Sequence, residues 1–447
     1  MTAPHRFAGL LALALAGPTL AADPAAPETW AAGSKHVLTW DAAKLPVPAA
    51  ATVPLELSVD AGKTWAAAAK VPNTGRFVWA VPDRPAAAAR LRLAGGTPAA
   101  TLEVGRPFAV GPSQEVKDYQ WAAVNKAAAF APRDGAGALV FKNQMWFLGG
   151  WNPSDKKMFP RICNNEVWSS VDGKAWGLVK PNTFLDRTFD STKDWEGRHT
   201  AGYVVFKDKM WIVGGDVNQG HYHSDVWNSA DGKTWALVNA GKPVPWGPRA
   251  LHYTVVFKDK IWVIGGQTLP QIAAGPELFH RDMWTSADGV AWEKVVPKEP
   301  FWSQRGMIGG AAVHDGRVWV LGGGTYETPK VAGRNFFNDV WSSADGVTWE
   351  RTLAEAPWHP RQYHDVAAFD GRVWVMEGYH KDGGNRNDVW YSADGVNWYD
   401  VPNTPWAPRH AASVYVHDGG LWMVAGNNMQ SDVWVLRRKP AAPKPAP

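Results

Sequence analysis

The 447-residue chain contains one cysteine, Cys163, so no internal disulfide can form and stability has to come from packing. It has no long run of Lys or Arg. Its 46 basic and 42 acidic residues are spread along the length, and the formal net charge of +4 offers no electrostatic footprint for nucleic acid. Beyond the first 21 residues there is no stretch of 18 uninterrupted apolar residues, which leaves no candidate for a membrane-spanning helix. At 45% hydrophobic and 20% charged the composition is ordinary, and it excludes a disordered or fibrous chain. The excess is in tryptophan: 28 residues, more than the 10 Tyr and 16 Phe together, most of them recurring at regular intervals.

Residues 1–21 read as a secretory signal. His5 and Arg6 supply the positive end, Phe7 to Ala16 the apolar stretch, and Thr19-Leu20-Ala21 a small-x-small cleavage site. This predicts a secreted or periplasmic protein without a lipid-anchoring cysteine. Residues 24–112 carry short alternating runs (His36–Trp40, Pro54–Val59, Arg76–Val81, Ala89–Ala94, Pro107–Val110) broken by Pro, Gly and Ala, the spacing of a small antiparallel sandwich. Within them, Leu57-Ser-Val-Asp60-Ala-Gly62-Lys-Thr-Trp65 followed by Gly75-Arg-Phe-Val-Trp79 resembles immunoglobulin- or fibronectin-like modules of exported proteins, which implies a presenting or spacing role. Residues 439–447, rich in Pro, Ala and Lys, are expected to be a disordered tail.

Residues 116–438 are a repeat array. Trp146, Trp211, Trp262, Trp319, Trp374 and Trp422 recur every 48 to 65 residues, and an Asp/Glu-hydrophobic-Trp unit follows each, ending at Trp168, Trp227, Trp284, Trp341, Trp390 and Trp434. A third Trp comes eight residues later in five of the six units. In the second unit, Ala201–Phe206 and Met210–Val213 flank a Lys207-Asp208 turn; Asp225–Ser229 and Thr234–Val238 flank an Asp231-Gly232 turn. Two such hairpins make a four-stranded antiparallel sheet. The last unit lacks a fourth strand, whereas Tyr119–Val124 before the first unit matches one, so the N-terminal segment is expected to complete sheet six.

The diglycines Gly149-Gly150, Gly214-Gly215, Gly265-Gly266 and Gly322-Gly323, each after an apolar strand and before paired aromatics, resemble the Kelch repeat, whose period is about 50 residues. The resemblance implies an all-β fold: a six-bladed Kelch-type β-propeller over 116–438, closed by an N-terminal strand and preceded by a small β-sandwich. It leaves activity open, because Kelch propellers include sugar oxidases, a periplasmic sialic-acid epimerase and many non-catalytic binding proteins. The Ser-x-Asp-Gly-x-x-Trp turns (Ser170–Trp176, Ser229–Trp235) are similar to sialidase Asp-boxes shortened by one residue, which lie away from the active site in that family.

In a four-stranded meander the 2–3 loops and the links between sheets share one face, and the 2–3 loops here are long and irregular, as recognition surfaces usually are. The links carry a recurring aromatic-x-x-Arg: Phe130/Arg133, Trp195/Arg198, Trp246/Arg249, Trp302/Arg305, Trp358/Arg361 and Trp406/Arg409. These arginines either tie neighbouring sheets together or form a rim for an anionic or sugar ligand. Counting from each Arg, position +1 holds His199 and His410 and position +3 holds His252 and His364. Shared strand parity predicts that the four imidazoles point alike, near the channel mouth. In the fifth unit Glu377-Gly378 replaces the diglycine, and hairpin register sets Glu377 opposite His364, a pair suited to proton transfer. Tyr363, Tyr379 and His380 lie nearby in sequence. His221-Tyr-His223 has spacing that could chelate a metal or simply face solvent.

Two functions therefore stand open. One is an exported binding protein whose loop face recognises a glycan or protein ligand through Arg198, His199, His252, Arg361, Tyr363, Tyr379 and His410. The other is a sugar-modifying enzyme of the epimerase or mutarotase kind, acting on an acidic sugar with His364 and Glu377 as catalytic groups. Arg361-Gln-Tyr363-His364 is also similar to the Arg-x-Tyr-His segment of galactose oxidase, which supplies copper ligands, but no other inner strand offers the matching Tyr, and that family has seven blades. The reading calls for no metal and no cofactor.

Overall fold

The computed structural model describes residues 27–49, 51–153, 162–216, 222–239, 242–269, 277–326 and 335–439. The expected signal (1–21), His221 and all but the first residue of the expected tail lie outside the described residues, as do parts of four of the 2–3 loops. The fold is all-β; among the described residues the only helical turn is a 3-10 turn at Ala42–Lys44.

Residues 28–111 form a five-stranded sheet in the order Glu28–Ala31, Ala100–Gly111, Ala86–Gly95, Thr52–Ser58, Ala66–Pro72, and a two-stranded sheet of Lys35–Thr39 with Arg76–Ala80. Leu38, Leu55, Leu57, Val71, Trp79, Leu91, Leu93 and Phe108 bury together as their core. This part is fixed to the rest of the chain. Lys35 Nζ meets Asp400 at 2.7 Å, and Asn397 Oδ1 accepts from the Ala31 amide at 2.7 Å.

Six four-stranded antiparallel sheets follow, which we number one to six. Sheet one is built from Gly137–Phe141, Gln144–Leu148, Val167–Ser170 and Gly177–Lys180; sheets two to five repeat this order. Sheet six takes three strands from Ser413–His417, Gly420–Val424 and Val433–Arg438, and its fourth from Tyr119–Asn125, which pairs with Trp434 opposite Ala123 and Leu436 opposite Trp121. The first strands of successive sheets pack side by side, and the first strand of sheet six packs on that of sheet one.

The recurring residues explain the recurring structure. Each second-strand indole donates to a carbonyl at the end of the first strand, as Trp211 does to Phe206 at 2.7 Å and Trp374 to Phe369 at 2.8 Å. In the turn between strands three and four, Ser229 Oγ accepts the Gly232 amide at 2.8 Å. Asp231 Oδ1 accepts from Lys233 and Thr234, and Trp235 Nε1 donates to Gly232. The turn glycine lies against the second-strand indole of the preceding sheet: Gly232 on Trp146, Gly289 on Trp211, and Gly173 of sheet one on Trp422 of sheet six. A side chain there would overlap the ring.

Candidate functional site

The six link arginines are structural. Their side chains are at most 1% exposed. Arg198 grips Asp225 through two nitrogens at 2.5 and 2.6 Å, and Arg361 grips Asp388 at 2.8 and 2.7 Å. The acceptor is the acidic residue of the Asp/Glu-hydrophobic-Trp unit, and its second duty is to accept from the Trp two residues on, at 2.7 Å for both Asp225 and Asp388. Burial opposes ionisation of Asp225, but the Arg198 charge and hydrogen bonds outweigh it and hold the carboxyl well below the usual range. Arg198 and Arg361 therefore have no free fork for a ligand, which corrects the expectation of an arginine rim. The guanidinium ties strands of its own sheet. The link to the neighbouring sheet is made by the arginine's carbonyl, which accepts the amide of the second glycine, as Gly150 N–H does to Arg198 and Gly323 N–H to Arg361.

The residue two after each arginine has a left-handed backbone: Gly135, Thr200, Leu251, Met307, Tyr363 and Ala411, with φ from 52° to 87°. Their amides and carbonyls form a circle. Thr200 N–H donates to Gly135, Leu251 to Thr200, Met307 to Leu251, Tyr363 to Met307, Ala411 to Tyr363 and Gly135 to Ala411, at 2.8 to 3.2 Å. Leu251, Met307, Tyr363 and Ala411 pack into one apolar cluster. This collar breaks the strand alternation on which the four-histidine expectation rested. The +1 and +3 imidazoles are separated by a left-handed residue and do not point alike.

Position +3 turns inward. His252 Nε2 contacts the Val213 carbonyl at 3.1 Å and His364 Nε2 the Leu321 carbonyl at 2.9 Å; both rings are buried. Burial, followed by the charge of Arg249 or Arg361, lowers each pKa to about 3, so both are neutral struts. Glu377 likewise departs from expectation. Its backbone is left-handed (φ 50°), the hairpin pairing ends at Asp365–Met376, and the carboxyl meets Asp365 instead of His364. Burial and then the Asp365 charge push Glu377 well above the carboxylate range, while burial raises Asp365 to about 7. Asp365 lines an inner cavity of about 190 Å³, with Tyr203, His252 and Thr254 also in its wall.

Position +1 faces the loops. A second cavity, of about 230 Å³, is lined by Asp134, Trp151, His199, Tyr326, Tyr363, Tyr379, His410, Ala411 and Asn427. Of the residues singled out in the sequence, it gathers His199, Tyr363, Tyr379 and His410 and leaves out Arg198, His252, Arg361, His364 and Glu377. His199 and Asp216 pair by backbone hydrogen bonds, which hold His199 Nδ1 3.2 Å from Asp216 Oδ1; its Nε2 lies 3.6 Å from Asp134 Oδ1. Burial pushes the imidazole toward neutrality, but the Asp216 hydrogen bond and the charges of Asp216 and Asp134 outweigh it and raise the pKa above 6.5. His410 Nδ1 is 2.6 Å from Asn385 Oδ1, and its ring lies 5.1 Å from Tyr363 and 5.7 Å from Tyr379. Trp151 sits 5.9 Å from His199, and Tyr326 6.0 Å from Tyr363.

Asp134, Trp151, Asp216, Tyr326 and Asn427 are the residues sequence reasoning missed. Asp134 was within reach, because it occupies the same +1 position after Arg133 that marked His199 and His410. In the possible chelate only His223 is described; it is buried, 3.5 Å from Glu196 and 3.7 Å from Asp225. Among the described residues, no three His, Cys, Asp or Glu side chains converge as a metal centre would require.

No family model matches the chain. Part of it is similar to two curated proteins: the Leucine-zipper-like transcriptional regulator 1 homolog of Drosophila melanogaster, 27% identical over 154 residues, and the Ras guanine nucleotide exchange factor F of Dictyostelium discoideum, 26% identical over 136 residues. The matched segments are 32% and 29% of this chain and only 14% and 11% of those proteins.

Proposed function

We propose that the chain is an exported binding protein built on a six-bladed Kelch-type β-propeller, with an immunoglobulin-like module packed on it, and that the loop-face cavity takes a carbohydrate. The propeller reading is supported by six four-stranded sheets, by pairing of Tyr119–Asn125 with the last strand, and by the circular hydrogen bonding of the collar. Export is supported by the sequence of residues 1–21 alone.

The single observation that carries the ligand reading is the convergence of Trp151, Tyr326, Tyr363, Tyr379, His199 and His410 on one cavity beside Asp134 and Asn427. Aromatic faces stack on the apolar faces of a sugar ring, and carboxylate, amide and imidazole groups take its hydroxyls. At about 230 Å³ the cavity is smaller than the roughly 300–1,000 Å³ of drug-sized sites and suits one ring. A glycan array followed by titration of tryptophan fluorescence tests this. Saturable binding that is lost in Trp151→Ala and Tyr379→Ala is expected. Glycan binding unchanged in both variants refutes it.

A second reading, proton transfer on a bound sugar, is favoured by one observation: His199 carries a carboxylate on Nδ1 and lies in the cavity wall. It moves the acid–base role away from His364 and Glu377, neither of which reaches this cavity. Exchange of solvent deuterium into a bound sugar, abolished by His199→Gln, is its test.

A further inference from the structure

We propose that the ligand of the loop-face cavity carries an organic ammonium group, seated between Asp134 and the aromatic walls. This rests on the cavity being a ligand site and adds the charge of what it takes.

Charge counting comes first. Asp134 is 3% exposed; its Oδ2 accepts from Asn427 Nδ2 at 2.7 Å, while its buried Oδ1 has no hydrogen-bond donor. The nearest cation is His199, at 3.6 Å, and that imidazole is already claimed by Asp216 at 3.2 Å. Two carboxylates share one ring, so with both ionised one negative charge is left over even when His199 is protonated. Among the described residues no Lys or Arg lines the cavity, and the link arginines on either side are locked to their own acids. A buried carboxylate short of a partner is unfavourable until a cation joins it. Burial, with the Asp216 charge adding to it, accordingly lifts the Asp134 carboxyl above its usual range.

The walls favour the same sign. Trp151, Tyr326, Tyr363 and Tyr379 present π systems whose faces are electron-rich, and several rings around one compact cavity attract an ammonium. An anionic sugar would meet the opposite, since no described residue lining the cavity is an arginine or lysine that could pair with its carboxylate.

The experiment is calorimetric titration of the mature chain with four probes: glucosamine, choline, glucose and glucuronic acid. The two ammonium probes are expected to bind about tenfold to a hundredfold more tightly than glucose: glucosamine through a charge-assisted hydrogen bond plus a cation–π contact, and choline, which has no N–H, through charge attraction to Asp134 plus the cation–π contact. Glucuronic acid is expected to bind more weakly than glucose. Tighter binding of glucosamine than of choline points to an amino sugar, and the reverse to a quaternary ammonium; either order supports the inference. Asp134→Asn should bring both ammonium probes down to the level of glucose, with circular dichroism confirming that the variant is folded. Glucose binding as tightly as the ammonium probes in the wild-type chain overturns the charge assignment and leaves the cavity reading standing. Failure of all four probes, together with silence on the glycan array, removes the cavity reading itself.

Discussion

Gly173 is a sensitive test of how the first and last sheets meet. Its φ is +71°, and a Cβ at this position would lie 3.1 Å from two carbons of the Trp422 ring and closer still to a third. Gly173→Ala therefore adds two terms. A left-handed L-residue costs about 1–2 kcal/mol, and forcing a methyl into a packed site costs about 1–3 kcal/mol more. Gly316, in the first hairpin turn of sheet four, has the same backbone hand (φ +65°) but open space where the Cβ would go. Gly316→Ala should then lose only the first term, about 1–2 kcal/mol. Urea unfolding followed by tryptophan fluorescence measures both. The expected result is a midpoint for Gly173→Ala clearly below that of Gly316→Ala. Equal midpoints would refute the claim that sheets one and six are pressed together at this indole.

Further outcomes follow from the ion pairs, the acid pair and the shared sheet. Arg409→Met should destabilise by about 3–5 kcal/mol, because Asp432 is left 7% exposed without its partner. Arg361→Met should cost less, since Asp388 is 37% exposed and water can rehydrate it; urea melts rank the two. Asp365 is raised in the folded state from 3.8 to about 7, so the fold holds more protons than the unfolded chain between these values and loses stability as pH rises across that window. The advantage of an Asp365→Asn, Glu377→Gln double variant over wild type should grow in thermal melts as pH rises from about 4 through about 7, with Glu377, also held well above its usual range, adding to the loss in wild type; a constant difference contradicts the assignment. Deleting residues 119–125 leaves Val433–Arg438 as a bare edge, and light scattering should detect self-association that the full chain lacks.

Most of the strand pattern was legible because each sheet writes the same residues in the same places. The Trp indoles and Asp-Gly turns report local hydrogen bonds, and local bonds are visible in local sequence. Glu28–Ala31 and Ala66–Pro72 were not anticipated; the second is mostly alanine, and its strand exists only because Thr52–Ser58 lies beside it. The site was half legible. His199, His410, Tyr363 and Tyr379 stood out as departures from the repeat. The pairing of His364 with Glu377 failed because parity and register were carried through Tyr363 and Glu377, two non-glycine residues with positive φ that sequence does not announce. The arginine rim failed for another reason. An Asp two positions before a Trp looks like a strand residue, and only the folded sheet brings it under the guanidinium of its own link.

The collar has an evolutionary corollary. A stacked solenoid can gain or lose a unit at its end, whereas a loop of six donors and six acceptors has no end at which to add one. Inserting or deleting a single repeat would keep donors and acceptors equal in number but change the circumference, so every bond of the circle would have to be remade at a new angle. Changes in the 2–3 loops leave all six of these bonds untouched, because each joins only the residues that lie two after the link arginines.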